Sequence, residues 1–419
     1  MKQLDEVYEV IDRIEATMRG AARHRFIYKF GKALLMPFLK HKFHYTFKPV
    51  TPVSTPYIVL CNHVTNADPM LAGLAFRDSM YFVASDHLFR MGFISKLLVF
   101  AVSPIARAKA TTDTQTVRQI FGRLKEGHNI CIFAEGFSTF SGVTGEIPGS
   151  IAKLAKKAGV TLITYRLRGG YLTFPRWALT VRKGRMTGEL VHQYTPEDLR
   201  QMKDEEADRQ IRQDLYVNAY EDQLASPVDY HGEPLAEQLE NALYCCPHCR
   251  SFSELTSKDD LFSCTCGYGV RFTSFGYFET APGSSASVVF KTVPEWFVWQ
   301  KEVLRTTLKV MSDTKDEGSL FVDRGQELFQ TVRIIRNIPL GIGILSLFLD
   351  RLVFTSDNSV DRVFYLRDIL DMSIITRMTL IFSTTDHQSY EIHSNWPRNA
   401  VKYMDTYRLL KAGKTLLQN

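Results

Sequence analysis

Four short, unbroken apolar runs constrain this 419-residue chain more than any other feature: Tyr57–Cys61, Met80–Ala84, Asn129–Ala134 and Thr161–Leu167. A strand that is apolar at every residue must be covered on both faces, which is the condition of a central strand in a layered parallel sheet. Segments of helical period separate the runs: His87–Val102, then Thr111–Glu126 closed by Gly127, and Ser150–Ala158 closed by Gly159. Glycine just past the last turn is a common helix stop. Strand and helix in alternation predict an α/β fold, a largely parallel sheet with flanking helices. The longest weakly charged apolar stretches, Ile338–Leu349 and Phe93–Ala106, fall short of the roughly 20 residues that a spanning helix needs, so no bilayer crossing is expected.

By pattern the chain divides into five regions. Residues 1–48 are helical and basic, 49–236 hold the α/β alternation, and 240–275 form a cysteine-bearing unit. Residues 276–317 read as a helical linker, with a helix from Pro294 to about Val310, and 318–419 as a β-rich module ending in a helix. In that last region LVF at 352–354, RVFYL at 362–366, LIFS at 380–383 and YEIH at 390–393 predict short antiparallel strands, a small barrel or sandwich closed by the helix of Pro397–Gly413.

Charge is unevenly spread. The chain carries a net +6, yet from Ala16 to Ala67 there is no acidic residue while Arg19, Arg23, Arg25, Lys29, Lys32, Lys40, Lys42 and Lys48 are all basic. Phe26, Ile27, Phe30, Leu34, Leu35, Phe38, Leu39 and Phe43 interleave with them. Apolar anchors ringed by cations fit a helix lying in the interface of an anionic membrane. The alternative is an amphipathic helix packed on the domain's own core. No groove-reading module is present, so nucleic acid is not an expected partner. The N-terminus lacks an apolar signal core, and the expected location is cytoplasmic, peripherally bound at the inner face of the membrane.

Five of the seven cysteines lie between Cys245 and Cys266. Cys246-x2-Cys249 and Cys264-x-Cys266-Gly predict a four-thiolate tetrahedral zinc in a ribbon-like hairpin. Four thiolates leave no open position, so this zinc is expected to be structural, holding a unit too short to bury a core. Cys245 or His248 could replace one ligand, and unliganded thiols are the remaining alternative. Cys61 and Cys131 fall inside apolar strands and read as core.

The stretch Cys61–Met70, CNHVTNADPM, carries the chemistry. Five residues along one helix rotate a side chain by about 500°, so His63 and Asp68 meet only if His63 lies in a loop and the helix starts near Asp68. Asp as N-cap and Pro69 in the first turn predict that start. A carboxylate that orients imidazole makes a general base, here for a substrate hydroxyl, since no nucleophile accompanies the pair. A helix cap beside a satisfied loop histidine is the alternative. Arg107 ends VSPIAR, and Glu135–Gly136 follow the third apolar run, at the strand ends where open α/β sheets gather ligands.

These residues resemble the blocks of the glycerolipid acyltransferases, the PlsC-type lysophosphatidic acid acyltransferases. His63–Asp68 matches the His-x4-Asp block, Pro104-Ile105-Ala106-Arg107 the second, Glu135-Gly136-Phe137-Ser138-Thr139 the third, and Gly159–Arg166 loosely the fourth. The resemblance spans residues 45–195. It implies His63 as base and Asp68 as its partner, an acyl-CoA or acyl carrier protein donor, and a lysophospholipid acceptor such as 1-acyl-glycerol-3-phosphate in phospholipid biosynthesis. Arg107, Glu135, Gly136, Ser138 and Thr139 would bind the acceptor, the apolar surface near Leu88–Phe100 would take the acyl chain, and no catalytic cofactor is implied. Ser138 stands where the third block usually has Arg, and the fourth block lacks its Pro. Arg166, Arg168 or Lys109 could supply the missing guanidinium or charge. Otherwise the acceptor lacks a phosphate monoester, or the chain keeps the fold as a non-catalytic lipid-binding or scaffold protein; a hydrolase activating water is a third reading. Asp323–Lys411, short strands then a helix, resembles PH/GRAM-like modules, which implies docking through Arg333, Arg336, Arg351, Arg362, Arg367 and Arg377 unless these are a solvated face.

Overall fold

The computed structural model describes residues 20–85, 88, 103–107, 114–332, 336–357, 360–396 and 398–417. The helix expected over 87–102, nearly all of the acyl-chain surface expected near Leu88–Phe100, Lys109 and Arg333 therefore lie outside the described residues. The chain forms two compact units, the first ending at Gly232 and the second beginning at Glu233, with Trp177–Thr180 also belonging to the second.

The first unit runs α1 (Gly20–Phe43), β1 (Tyr45–Phe47), β2 (Tyr57–Cys61), α2 (Asp68–Ala75), β3 (Met80–Ser85), β4 (Ile105–Arg107), α3 (Thr114–Lys125), β5 (Asn129–Phe133), α4 (Ser150–Ala158), β6 (Thr161–Arg168), α5 (Gly170–Thr173), β7 (Met186–Tyr194), α6 (Pro196–Gln201), α7 (Asp204–Leu215) and α8 (Ala219–Ala225). Its sheet has the order β1-β7-β6-β2-β5-β3-β4. Strands β6, β2, β5, β3 and β4 are mutually parallel, with Val59 of β2 opposite both Cys131 and Ile163. Every residue of β2 and β5 is buried, as continuous apolar runs require. One face packs Ile58, Leu60, Ile130 and Ile132 against Ile120 and Leu124 of α3, Ala152 and Ala155 of α4, and Ile211 and Leu215 of α7. Cys61 and Cys131 are buried core residues.

Two departures from the apolar-run pattern lie at one side of this sheet. Strand β7 pairs antiparallel with β6, and β1 pairs parallel with β7. Neither is a continuous apolar run, because β7 buries only some of its residues, in the order Met186, Gly188 and Tyr194.

The second unit opens with a four-stranded antiparallel ribbon, β8 (Leu255–Lys258), β9 (Leu261–Cys264), β10 (Gly269–Phe272) and β11 (Phe278–Thr280), in the order β11-β10-β9-β8. Helix α9 (Val293–Asp313) follows, started by a reciprocal capping box between Thr292 and Glu295. Its Trp296 is wholly buried against Phe262, Tyr268 and Phe278 of the ribbon. Then come β12 (Phe321–Val332), β13 (Arg336–Leu347), β14 (Arg351–Ser356), β15 (Arg362–Tyr365), β16 (Ile369–Ile375), β17 (Thr379–Thr384), β18 (Ser389–Ser394) and α10 (Val401–Leu417). They form an antiparallel sheet of order β15-β14-β13-β12-β18-β17-β16. The apolar run at 338–349 is largely strand β13, and its partner β12 is a strand that composition hides: only Phe321, Gln326, Leu328 and Thr331 are buried in it.

Candidate active site

Strand β2 delivers the chain to Asn62, which fastens the following turn. Its Nδ2 donates to Leu167 O at 2.9 Å and its Oδ1 accepts from Leu167 N at 2.8 Å, prolonging the link between β2 and β6. His63 comes next, with Nδ1 2.8 Å from Asp68 Oδ2. Asp68 is fully buried. The same Oδ2 accepts the backbone N–H of Val64 (2.5 Å) and of Thr65 (2.8 Å), while Oδ1 accepts the Thr65 hydroxyl at 2.7 Å. Asp68 is the first residue of α2 and not its cap; Ala67 holds that position with no side-chain capping bond. The carboxylate turns back onto the loop, where four donors converge, instead of forward onto the helix.

That arrangement sets the protonation of the imidazole. A carboxylate opposite Nδ1 requires the proton there, leaving the Nε2 lone pair to accept one from a substrate. The ring keeps 20% of its side-chain surface exposed and leans on Phe133, centroids 4.7 Å apart.

Strand β5 supplies the second loop. Glu135 accepts the His63 N–H on Oε1 at 2.6 Å and the Gly145 N–H on Oε2 at 2.5 Å. Burial pushes its carboxyl up to about 7, opposed by these two N–H bonds. Both oxygens of Glu135 thus brace the loops. Gly136 has φ +76°, and a Cβ there would sit 3.1 Å from Arg107 Nη1. The guanidinium that ends β4 therefore lies against a backbone position that only glycine suits. Thr139 N donates to His63 O at 3.4 Å, and Thr139 Oγ1 accepts the N–H groups of Ser141 and Gly142, each at 3.2 Å. Ser138 is buried, and its carbonyl accepts from Arg176 Nη1 at 2.9 Å.

Arg176 was not among the expected site residues. It follows β6 by way of Gly169, where φ is +75° and a Cβ would lie 2.0 Å from Arg185 O. The only sequence signal was a lone Arg in an otherwise apolar segment after a Gly-Gly strand end. Two of the cations anticipated at this place, Arg166 and Arg168, are engaged elsewhere. Arg166 Nε donates to Asp214 O at 2.7 Å, and Arg168 bonds Glu189 at 3.0 Å and pairs with Asp222.

In the second unit the sulfurs of Cys246, Cys249, Cys264 and Cys266 lie within 4.8 Å of one another. Cys246–Cys266 are 3.8 Å apart and Cys249–Cys264 3.7 Å. A tetrahedral ion with bonds of about 2.3 Å spaces its thiolates about 3.8 Å apart, so this set fits a four-coordinate metal. The Cys245 thiol turns to the carbonyls of Cys246 and Arg250, and His248 Nδ1 lies 3.7 Å from Cys266 Sγ, beside the set. Of the arginines weighed for docking, Arg351 bonds Asp350, Arg367 lies beside Asp368 with its guanidinium over Tyr365, and Arg377 donates to Ala178 O.

Helix α1 presents Phe26, Phe30, Leu34 and Phe38 at 57–69% exposure while burying His24, Leu39 and Phe43. Arg25, Lys29, Lys40 and Lys42 are exposed on the same helix. Tyr28 and Lys32 dock it on α2 and the residue beyond, through Gly73 O at 2.9 Å and Phe76 O at 2.6 Å. Among the described residues no helix is long and apolar enough to cross a membrane.

Residues 42–168 match the model of the family described as Acyltransferase. Among solved structures the chain is similar to the 1-acyl-sn-glycerophosphate (LPA) acyltransferase PlsC from Thermotoga maritima, at 19% identity and TM-score 0.38, covering 48% of this chain and 78% of that one. It is also similar to a chain of the 8S snRNP assembly intermediate (11% identity, TM-score 0.19, 23% of this chain and 83% of that one). A third likeness is to the C-terminal domain of an unknown protein from Leishmania infantum (14%, TM-score 0.17, 25% and 95%). Comparison with curated proteins finds no match.

Proposed function

We propose that the chain, whose residues 42–168 match the Acyltransferase family model, moves a fatty acyl group from an acyl thioester, acyl-CoA or acyl carrier protein, to the hydroxyl of a lysophospholipid such as 1-acyl-glycerol-3-phosphate. The observation that carries this reading is the His63–Asp68 contact at 2.8 Å at the carboxyl end of β2. Nε2 of His63 takes the acceptor's hydroxyl proton as that oxygen bonds to the thioester carbonyl carbon. The tetrahedral adduct then collapses with cleavage of the C–S bond, and the imidazolium returns its proton to the leaving thiolate. Buried Asp68 steadies the imidazolium between the two transfers. Arg107, Glu135, Gly136, Ser138 and Thr139 frame the acceptor's headgroup, Arg107 by its fork of donors and the others by shaping the loop.

The exposed aromatic and basic residues of α1 support a peripheral seat on an anionic membrane, which we place at its inner face. The four thiolates suit a structural zinc, closed to substrate. The intact base and its partner speak against a non-catalytic scaffold. Purified protein incubated with labelled acyl-CoA and a panel of lysolipids tests the reading. We expect labelled diacyl product with wild type and none with a folded His63→Ala variant; undiminished product with that variant removes the mechanism.

A further inference from the structure

His24, Tyr28 and Lys32 recur every fourth residue along α1 and so share one stripe, the side that the helix turns to the rest of its unit. Tyr28 and Lys32 find acceptors there, the carbonyls of Gly73 and Phe76. His24 finds none. It is 2% exposed and stacks on Tyr81 of β3, centroids 4.1 Å and planes 12° apart, and neither ring nitrogen has a hydrogen-bond partner. We propose that His24 is a proton-operated latch on α1: the neutral imidazole holds the N-terminal end of the helix against β3 and α3, and the imidazolium releases it. The freed end is the one that carries Phe26 of the exposed apolar row.

A neutral imidazole can be stacked and dry, but an imidazolium brings a second N–H donor and a charge with no acceptor in reach. The groups around it raise that cost. Arg123 of α3 and His128 just past that helix flank the same Tyr81 ring, the guanidinium 4.8 Å and the imidazole 5.2 Å from its centroid. Arg23 and Arg25 act on it from α1 itself, while the ring of Tyr28, 6.2 Å away, is a phenol that burial keeps neutral. The Glu126 carboxylate is held by Arg123 at 3.2 Å and lies 3.7 Å from His128 Nε2. Burial first, then repulsion by His128, Arg123, Arg23 and Arg25, pushes His24 down from 6.5 to about 4. Docking is therefore unopposed above 6.5 and weakens as pH falls from 6.5 toward 4, because only the released ring binds a proton in that window. Tyr28, Lys32, Leu39 and Phe43 hold the remainder of the helix through bonds and packing that do not involve this proton, so the opening is local.

The alternative is that His24 is a packing residue whose proton opens nothing short of the whole unit. Amide hydrogen exchange of the full chain at pH 7.5 and pH 5, corrected for the intrinsic effect of pH on exchange, separates the two. For wild type we expect the opening constant of residues 24–30 to rise about thirty-fold between those values, as binding at 6.5 when released against about 4 when docked requires. Amides of β2 and β5 should lose no protection over the same range. His24→Phe keeps an aromatic ring on Tyr81 with no proton to gain, and its α1 should open equally at both pH values. His24→Gln is the second variant should that one fail to fold; it gives up the stack, so its helix opens more readily at either pH, but with the same lack of pH dependence. A wild-type helix whose opening does not change with pH overturns the proposal. So does an acid-driven rise that persists in the His24 variant, which would put the proton on His128 or another group, and so does a loss of protection that β2 and β5 share equally. None of these outcomes depends on acyl transfer.

Discussion

Asp68 is wholly buried, and four donors supplied by three consecutive residues keep its charge in place. Hydrogen bonds to an ionised carboxylate are worth about 1.5–3 kcal/mol each, so the loop and the His63 ring are held by one side chain. Replacing Asp68 with Asn turns an amide N–H₂ against at least one of those donors. We expect kcat to fall at least about a hundred-fold through loss of the Nδ1-protonated tautomer, read from initial rates on a variant whose circular dichroism is unchanged. Glu135 makes a pH prediction. Its carboxyl titrates at about 7 in the fold against 4.5 when unperturbed. The folded state thus holds a proton that the unfolded chain has lost, and the stability linked to it is present below about 4.5 and lost as pH rises through 7. Unfolding free energies from urea titrations of wild type, relative to Glu135→Gln, should therefore fall between about pH 4.5 and pH 8, by on the order of 3 kcal/mol in all. A difference that stays flat across that range would contradict it.

Helix α1 shows what an element can present that no single residue does. Phe26, Phe30, Leu34 and Phe38 recur every fourth position, so they follow one another along a face, and the buried Leu39 and Phe43 belong to the side that packs. A basic helix with so large an exposed apolar row is suited to a lipid interface. Phe30→Ser with Leu34→Ser should weaken binding to vesicles containing anionic lipid by at least about a hundred-fold, since each side chain contributes roughly 1.5–3 kcal/mol on burial. Raising salt should weaken wild-type binding as well, because the cations act across a screened distance. Co-sedimentation reads both effects, and equal binding to neutral vesicles in high salt would remove the electrostatic part.

At the scale of the molecule, the cysteine ribbon is built into the second unit and does not stand apart from it. Trp296 Nε1 donates to Cys245 O at 2.8 Å, Tyr244 bonds Asp405 of α10 at 3.2 Å, and Lys301 of α9 pairs with the same Asp405 at 3.2 Å. Lys402 reaches Ser253 at 2.6 Å and Asp323 of β12 at 3.1 Å. We expect about one zinc per chain by elemental analysis, and Cys246→Ser with Cys249→Ser to lower the unfolding temperature of the unit as a whole, not the ribbon alone. What was legible in the sequence was local or doubly buried. His63 and Asp68 meet within one loop, the cysteine pairs sit in their own knuckles, and β2 and β5 announce themselves because burial on both faces leaves them almost wholly apolar. Strands β7 and β12, half-buried, have composition that does not distinguish them from loops until their partners are in place. Arg176 is 38 residues from Ser138, and no spacing links them. Only the sheet, which sets β5 and β6 on either side of β2 with all three strands parallel, brings that guanidinium to the loop, because strand order is settled by how the layers pack and not by any local stretch of chain.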